Sequence, residues 1–435
     1  MKSKTQFLLI GLLVLAGCEQ GPTGDWQDPR VILISIDGLR GDLLTEPSFK
    51  RDCPNMSRLM AMGTICDNVQ SVFPSLTYPA HTSMISGMMP QEHGIVNNRS
   101  FFPEKNFADW YWYADTIKTP TLITKIRGKG LVSLGVSWPV TVGAPMDYML
   151  PEIKSVNDTI STVDLVRKHD YPDRFLESAK IRGVIPEGGN PQGYDRDLLL
   201  HEIFMDAFSR KRPHLSLYHM IETDYAQHNH GKNSQEARDA FMFMDSLIGN
   251  IMAFLDENSL WTSTTLILSG DHGFRNYQKQ LAVNKLFVEK GWLTIEGGTI
   301  KDWMVVGLAS GGSAFIRLKN PEDEEFKKKV RIALAQQKEF ETLERRHMNN
   351  LLWSPIETDF LLLAKKGFCF VRSLDQPYII EKYGATHGGD PRSRYLKTGY
   401  IAGGRGIEKG ILKNMMITDV AHQISALLDL GLAPD

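Results

Sequence analysis

Carboxylates and imidazoles occur close together at several points of this 435-residue sequence. Asp224 and His228 lie four residues apart in ETDYAQHNHG, so one helical turn can direct both side chains to one point. Asp271 and His272 are adjacent in SGDHG, and His387 lies in GATHGG, where glycine permits close approach of the backbone. These groupings predict a metal site built from oxygen and nitrogen ligands.

Asp37, at the end of the apolar run VILISID, completes a set of six candidate ligands, three for each of two ions. Three protein ligands per ion leave a position for water or substrate, as in catalytic zinc sites. Mn²⁺ and Fe use the same ligand types, so the ligands alone do not choose the metal. Four further histidines are better explained as structural or supporting groups: His81, His93, His219 and His230.

The segments that must position these residues have the pattern of buried parallel strands. VILISID (31–37), HLSLYHMIETD (214–224) and TTLILSGDHG (264–273) are apolar runs that end in polar residues. Stretches with apolar residues at helical spacing lie between them, at 196–211 and 234–257. This alternation predicts an α/β fold with a mostly parallel central sheet. Because ligands bind beyond the carboxyl ends of such strands, we expect the three aspartates at that edge.

The alternation stops between about 275 and 380, where short mixed segments and the charged run NPEDEEFKKKVR occur. We expect this stretch to be an insertion that packs over or beside the sheet as a smaller cap region. Strand and helix patterns return with TGYIAGG and the closing TDVAHQISALLDL. The sequence therefore predicts one catalytic domain over 31–435.

Thr77 lies between two prolines in SVFPSLTYPAHTSM. Pro74 and Pro79 restrict the backbone on both sides of it. The simplest structural role for a threonine at this place is a helix N-cap. Its hydroxyl is a poor nucleophile at neutral pH unless a metal or a base removes the proton.

Five motifs together resemble the nucleotide pyrophosphatase/phosphodiesterase branch of the alkaline phosphatase superfamily. They are ILISIDGLR, FPSLTYPAHTSMISGMMPQEHGIVNN, DYAQH, GDHGF and THGG, and they occur in this order. The resemblance covers about 31–275 and the chain from about 383 onward. It implies an alkaline-phosphatase-like sandwich with helices on both faces of the sheet. It also implies hydrolysis of phosphodiester or pyrophosphate bonds through a covalent phosphoryl-threonine intermediate.

The same resemblance implies roles for the site residues. Thr77 is expected to be the nucleophile, bound to a metal at the start of a helix whose free N–H groups face the phosphoryl oxygens. Two zinc ions about 4 Å apart would hold the attacking and leaving oxygens. Asn98, at the end of HGIVNN, is expected to donate to a non-bridging oxygen. The implied ligand sets are Asp37, Asp271 and His272 for the ion that binds Thr77, and Asp224, His228 and His387 for the second ion.

Charge counting favours a phosphodiester substrate. Three carboxylates against two divalent ions leave about +1, which a Thr77 alkoxide cancels, so a singly charged diester needs no further cation. Related monoesterases have a Lys-x-Arg pair where this sequence has Trp138, Pro139 and Val140. By the resemblance, Tyr78 stacks on a nucleobase, and Trp138 offers a second ring face. Three alternatives stay open: a phosphomonoesterase on the same scaffold, a phosphoryl transferase to an alcohol, and a non-catalytic zinc-binding surface lipoprotein.

The first residues, MKSKTQFLLIGLLVLAGC, have the features of an export signal. Two lysines precede an apolar run that is short for a bilayer span, and LAGC at 15–18 is similar to the bacterial lipoprotein box. We expect residues 1–18 to be a signal peptide, Cys18 to carry lipid, and residues 19–30 to form a tether. The protein would then be held on the bacterial cell envelope facing the periplasm, and Glu19 favours the outer membrane.

Composition limits the partners. A hydrophobic fraction of 42% and a charged fraction of 23% fit a folded body. A net charge of -2 without a dense Lys/Arg cluster argues against a nucleic acid polymer, so the expected substrate is a small phosphodiester or nucleotide. The sequence leaves open the oligomeric state and a bridge between Cys53 and Cys66.

Overall fold

The computed structural model describes residues 21–105, 109–155, 160–173, 175–181, 192–345, 348 and 358–432. The strands are β1 (Arg30–Ile36), β2 (Thr64–Gln70), β3 (Ser133–Val136), β4 (Tyr148–Leu150), β5 (Leu215–Met220), β6 (Thr264–Ser269), β7 (Arg275–Leu281), β8 (Leu293–Glu296), β9 (Thr299–Trp303), β10 (Val305–Ser310), β11 (Ser313–Leu318), β12 (Phe340–Glu344), β13 (Phe360–Ala364), β14 (Gly367–Phe370), β15 (Ile379–Thr386), β16 (Thr398–Gly404), β17 (Gly410–Ile411) and β18 (Met415–Met416). The helices are α1 (Pro47–Asp52), α2 (Pro54–Met62), α3 (Thr77–Ser86), α4 (Pro90–His93), α5 (Leu122–Gly128), α6 (Thr162–Arg167), α7 (Phe175–Ile181), α8 (Gly193–Lys211), α9 (Glu222–His230), α10 (Gln235–Glu257), α11 (Val283–Glu289), α12 (Glu324–Ala335) and α13 (Asp419–Leu427).

A nine-stranded sheet forms the centre of the molecule, in the order β17-β2-β16-β6-β1-β5-β3-β4, with β18 beside β2. The strands β6, β1, β5, β3 and β4 are parallel to one another. Strand β16 is antiparallel to both β6 and β2. The predicted α/β fold with a mostly parallel central sheet is confirmed.

Helices cover both faces of this sheet because the residues of β1 alternate between two apolar cores. Ile32 and Ile34 belong to a core shared with α8 and α10. Val31 and Leu33 belong to the core on the other face, which α3, α5 and α13 cover. A strand that is apolar on both faces must be buried on both, which explains the unbroken apolar run in the sequence.

The region between β7 and β15 has its own sheets and its own core. The strands β10, β11, β13 and β12 form an antiparallel sheet, and β8 pairs with β9. Phe315, Leu362 and Val330 lie in the apolar core of this region. A three-stranded sheet, β14-β7-β15, leads the chain back to the edge of the central sheet. The charged run of the sequence lies at the start of α12, whose lysines are largely on the outside.

The described part of the expected tether, residues 21–30, packs on the body. The Tyr148 hydroxyl donates to the carbonyl of Pro22 over 2.8 Å. Gly24 N–H donates to the carbonyl of Lys211 over 3.0 Å. The Trp26 ring contacts the Phe208 ring, with centroids 5.4 Å apart. This segment is therefore not a free tether: Trp26 buries apolar surface at the amino-terminal edge of the sheet.

Cys18 and the expected signal peptide lie outside the described residues. Cys53, Cys66 and Cys369 are buried free thiols, so the bridge that the sequence left open is not formed. Within the described part of the chain, no helix is long and apolar enough to cross a membrane.

Candidate active site

Asp37, Asp271 and His272 meet at the carboxyl edge of the sheet, and we call them the first triad. Asp37 follows β1, and the other two follow β6, which is a neighbour of β1. His272 Nε2 lies 3.3 Å from Asp37 Oδ1 and 3.3 Å from Asp271 Oδ2. These three atoms are buried, and none has a hydrogen-bond partner among the described residues. Two carboxylate oxygens and a ring nitrogen therefore face a common point.

Asp224, His228 and His387 form the second triad. Asp224 Oδ1 lies 3.4 Å from His228 Nε2 and 3.5 Å from His387 Nε2. Nδ1 of His228 is 2.8 Å from the carbonyl of Ala385, and Nδ1 of His387 is 2.9 Å from the carbonyl of Ser75. Because a carbonyl only accepts, each Nδ1 carries a proton and donates it. The two Nε2 atoms are 3.0 Å apart, and this arrangement needs a proton or a cation between them.

Both triads have the dimensions of a metal site. Zinc ligands at about 2.0–2.1 Å in a tetrahedral arrangement are separated by about 3.3 Å. The interatomic distances given above agree with that spacing. The triads also adjoin, because ligand atoms of Asp224, His272 and His387 lie within 4.8 Å of one another. The six side chains expected from the sequence are thus brought together, and their donor atoms fit two adjacent cations.

Burial makes the carboxylates of the first triad costly to ionise on their own. Burial raises the pKa of Asp37 well above its ordinary value, and the charges of Asp224 and Asp271 raise it further. Burial also raises the pKa of Asp271 to about 6. Burial lowers the pKa of His387 to about 4, so this ring is neutral at pH 7. Bound cations would offset the cost by placing opposite charge beside the carboxylates.

Thr77 is the first residue of α3 and is 8% exposed. The turn before it is tied to the second triad, since the Ser75 carbonyl accepts the proton of His387 Nδ1. The Thr77 carbonyl accepts from His81 Nδ1 over 2.7 Å, and this nitrogen is 3.8 Å from Asp271 Oδ2 in the first triad. The predicted nucleophile therefore lies in a turn that contacts the second triad directly and is connected to the first triad through His81.

Asn98 lies beside the start of α3, where its Oδ1 accepts from the N–H of Tyr78 over 2.9 Å. Its Nδ2 is consequently the end that can donate to a ligand. Of the free N–H groups expected at this helix start, those after Thr77 are not available to the substrate. The N–H of Tyr78 is taken by Asn98, Pro79 has no N–H, and Ala80 donates to the carbonyl of Leu76 over 3.1 Å.

A cavity of about 680 Å³ opens over the second triad. His228, His387 and Asn98 line one side of it, and the inserted region contributes the other side, including Ser310. Asn97, the neighbour of the predicted phosphate-binding asparagine, donates from Nδ2 to Ser310 Oγ over 2.8 Å. The inserted region therefore forms a wall of the candidate substrate site.

Tyr78 and Trp138 do not line this cavity. Tyr78 is 1% exposed, and its hydroxyl donates to Glu152 Oε1 over 2.9 Å. Trp138 is fully buried and packs edge-on against the ring of His81, with centroids 4.8 Å apart. The prediction that these two rings bind the substrate is wrong, because buried rings present no face to a ligand. Trp110 is among the aromatic residues that line the cavity.

Two arginines of the cavity wall were missed by the sequence reasoning. Arg99 follows Asn98, and Arg372 lies after β14 in the inserted region. No carboxylate is found among the described residues that line the cavity. Burial, together with the charge of Arg372, lowers the pKa of Arg99 to about 10, so it remains cationic at neutral pH. The adjacency of Arg99 to Asn98 was a usable signal, whereas no motif marks Arg372.

A family model described as "Type I phosphodiesterase / nucleotide pyrophosphatase" matches residues 31–390 of this chain. Among curated relatives, ectonucleotide pyrophosphatase/phosphodiesterase family member 1 of Mus musculus is 26% identical over 268 residues, which are 60% of this chain and 26% of the relative. Bis(5'-adenosyl)-triphosphatase ENPP4 of Bos taurus is 23% identical over 294 residues, which are 65% of this chain and 55% of the relative. The chain thus spans between about a quarter and about half of the length of these relatives.

Solved structures agree with the architecture. Murine ectonucleotide pyrophosphatase/phosphodiesterase 5, an inactive threonine-to-alanine variant in complex with AMP, matches with a TM-score of 0.67 at 18% identity. The match covers 94% of this chain and 96% of that chain. The human form of the same protein matches with a TM-score of 0.66, covering 92% of this chain and 95% of that chain. These matches confirm the alkaline-phosphatase-like fold expected from the sequence.

Proposed function

The chain belongs to the type I phosphodiesterase/nucleotide pyrophosphatase family, and we propose that it hydrolyses phosphodiester or pyrophosphate bonds through a phosphoryl-Thr77 intermediate. The observation that carries this proposal is the meeting of two ligand triads at the turn that bears Thr77. The names of the curated relatives, which include a bis(5'-adenosyl)-triphosphatase, support hydrolysis of such bonds. The inactive threonine-to-alanine variant of murine family member 5 supports a threonine nucleophile.

Each residue of the site has its own role in the proposed reaction. When bound, two divalent cations, which we propose to be zinc, would lower the pKa of the Thr77 hydroxyl and of a water molecule and offset charge on the phosphoryl oxygens. Thr77 Oγ attacks phosphorus while the bond to the leaving oxygen breaks. Asn98 Nδ2 donates to a non-bridging oxygen as negative charge develops there. Water then displaces Thr77 Oγ from phosphorus and restores the hydroxyl. The proposed ligands are Asp37, Asp271 and His272 for one cation, and Asp224, His228 and His387 for the other.

A phosphomonoesterase is the second candidate function, and the two arginines of the cavity favour it. The charge count made from the sequence included no protein cation, and Arg99 and Arg372 change that count. Guanidinium groups suit a dianionic monoester, and they equally suit the anionic leaving group of a pyrophosphate. Family membership favours the pyrophosphate, so we keep the diester and pyrophosphate class as the proposed function.

We expect the protein to hydrolyse bis-p-nitrophenyl phosphate at least about tenfold faster than p-nitrophenyl phosphate at one pH, a difference of about 1.4 kcal/mol in barrier. The reason is that the matching family is described as a phosphodiesterase and nucleotide pyrophosphatase, whereas the charge of the cavity alone does not disfavour a monoester. Initial rates at matched concentrations measure this ratio. A clear preference for the monoester would make the phosphomonoesterase the correct assignment.

A second prediction tests whether Arg372 binds the leaving group of a pyrophosphate. Arg372→Met should lower kcat/KM for ATP by roughly tenfold, because only in ATP does the leaving group carry phosphate charges that a guanidinium can bind before the bond breaks. Its rate with bis-p-nitrophenyl phosphate should stay near the wild-type value. Arg51→Met is the matched variant, since Arg51 is an exposed arginine paired only with the adjacent Asp52 in the described structure. Equal losses with both substrates would exclude a leaving-group role for Arg372.

We also propose that the protein is exported and held on the bacterial cell envelope by lipid on Cys18, facing the periplasm. The lipoprotein-box sequence supports this proposal, although Cys18 lies outside the described residues. Residues 22–30 follow the amino-terminal edge of the sheet, opposite to the candidate active site, so an anchor there leaves the site open. Cys18→Ser should move the protein from the membrane fraction to the soluble fraction without changing its specific activity. Membrane association that survives this substitution would contradict the lipid anchor.

A further inference from the structure

A largely buried chain of polar side chains runs beside the first triad. His219 Nε2 lies 3.2 Å from Asp37 Oδ2, and His219 Nδ1 lies 2.9 Å from Glu152 Oε2. The Tyr78 hydroxyl donates to the other oxygen of Glu152, also over 2.9 Å. We call Asp37, His219, Glu152 and Tyr78 the Glu152 chain. It connects a proposed metal ligand to the residue that follows Thr77.

Strand ends at one edge of the sheet bring the Glu152 chain together. His219 is the next-to-last residue of β5 and pairs with Ser35 of β1, so its side chain reaches Asp37 at the same edge. Glu152 lies two residues beyond the end of β4. Tyr78 is in the first turn of α3. His219 and Tyr78 are each 1% exposed, whereas the Glu152 side chain is 21% exposed, so water reaches this carboxylate but not the two side chains that it binds.

We propose that His219 and Glu152 are positioning residues for the hydrolysis, an inference that rests on the proposed function. His219 Nε2 lies beside Oδ2 of Asp37, and Oδ1 of Asp37 faces the first triad. Partners placed behind a metal ligand fix its orientation in this way. Glu152 has one oxygen on His219 and the other on Tyr78, so a single carboxylate orients a metal ligand and the turn at the start of α3.

At its other end, the Glu152 chain fixes the position of Tyr78, which lies between Thr77 and Asn98. The N–H of Tyr78 is bonded to Asn98 Oδ1, and this bond leaves Asn98 Nδ2 to donate. The tyrosine is therefore held at two points, at its backbone by Asn98 and at its hydroxyl by Glu152. A shift of this residue would displace Thr77 and Asn98 together, and misplacement of reacting groups by about 1 Å can cost up to roughly 10²-fold in rate.

Different substitutions separate the two ends of the Glu152 chain. His219→Ala removes the support of Asp37, and we expect zinc affinity to fall by about 10–100-fold together with kcat. Tyr78→Phe removes only the hydroxyl contact, so we expect unchanged zinc affinity and a kcat lowered by roughly tenfold at a similar KM. Glu152→Ala should lower both zinc affinity and kcat. Glu152→Gln keeps an acceptor for Tyr78 and should lie between Glu152→Ala and the wild type.

The test measures zinc affinity by competition with a chromophoric chelator, and kcat and KM with bis-p-nitrophenyl phosphate. The matched control is His214→Ala. His214 is also buried and also lies beside a carboxylate, with its Nε2 3.2 Å from Asp28 Oδ2, but it precedes β5 at the opposite edge of the sheet. We expect His214→Ala to keep wild-type zinc affinity and kcat. Thermal unfolding monitored by circular dichroism shows which variants fold.

Wild-type zinc affinity in both His219→Ala and Glu152→Ala would overturn the proposal, and so would an equal loss in His214→Ala. If His219→Ala does not fold, the comparison of Glu152→Gln with Glu152→Ala tests the positioning role instead. Recovery of zinc affinity and kcat in Glu152→Gln relative to Glu152→Ala supports positioning, and identical values in the two overturn it. Failure of the wild-type protein to cleave any diester would instead contradict the proposed function, and the zinc titrations would still test the orientation of Asp37.

Discussion

Replacing Thr77 with alanine is expected to lower kcat for bis-p-nitrophenyl phosphate by roughly 10⁴-fold or more. The substitution removes the oxygen that forms the covalent bond to phosphorus, and water in its place lacks the fixed position at the start of α3. Zinc content should remain at about two ions per chain, because the six carboxylate and imidazole ligands are unchanged. Steady-state kinetics and elemental analysis of the purified variant measure both quantities.

Two variants control for the loss of a buried threonine. Thr77→Ser keeps a hydroxyl and should retain measurable turnover. Thr82→Ala removes another buried hydroxyl from α3, one that donates to the Tyr78 carbonyl over 2.9 Å, and should reduce kcat far less. Acid quenching of wild-type turnover should yield a phosphorylated peptide that contains Thr77. If Thr77→Ala with zinc bound keeps more than about a hundredth of the wild-type kcat, the nucleophile is another group.

The aspartates of the two triads could be predicted from the sequence for a simple physical reason. A strand that is buried on both faces is apolar along its length, so an acid at its end lies at the carboxyl edge of the sheet. Asp37 and Asp271 follow this rule, and β1 and β6 are neighbours. Asp224 and His228 follow from helical spacing in α9. His387 was indicated only by the glycines around it and by the THGG motif, because β15 leads out of the inserted region and no strand pattern shows where it ends.

The direction of a side chain was much harder to predict than its place in the chain. The motif puts Tyr78 next to Thr77, but the ring turns into the protein because Glu152 accepts its hydroxyl proton. Glu152 itself follows the strand-end rule that identified Asp37. It was missed because β4 has only three residues, too few to show a strand pattern.

Long-range packing set the second limit on prediction from sequence. Arg372 comes from the inserted region and reaches the cavity only because that region packs against the edge of the central sheet. Nothing in its neighbouring residues indicates this placement. The charge of the substrate pocket was therefore underestimated, although the residues that would hold the cations were found. The packing of residues 21–30 was missed for the same reason, since the partners of Trp26 are distant in sequence.

Removal of divalent ions with EDTA should abolish hydrolysis and lower the melting temperature, and added zinc should restore both. Loss of cation stabilisation worth several kcal/mol corresponds to a rate decrease of roughly 10³-fold or more. The stability effect follows because the ions bind the folded state, and a ligand at 1,000 times its Kd stabilises that state by about 4 kcal/mol. Without ions, the buried carboxylates of Asp37 and Asp271 lose their counter-charge. Activity assays and thermal unfolding before and after chelation measure the two effects.

Zinc affinity should rise with pH across the range near pH 6, because zinc and protons compete for the same atoms. Burial raises the pKa of Asp271 to about 6. Burial opposes protonation of His228, but the charge of Asp224 raises the pKa of that ring above its ordinary value. The ion-free protein therefore holds more protons than the ion-bound protein, and lowering the pH weakens binding. Calorimetry in two buffers of different ionisation enthalpy measures the protons released.

Asp37→Asn and Asp245→Asn separate a proposed ligand from a structural aspartate. Asp245 is also buried, but it accepts the N–H of Met56 over 2.7 Å at the start of α2, and it does not line the cavity. Asp245→Asn should lower stability and keep two zinc ions, whereas Asp37→Asn should lose zinc and kcat together. Full turnover with no zinc detected would rule out cation activation of Thr77. It would then require another base, although His81 Nδ1 is already bonded to the Thr77 carbonyl.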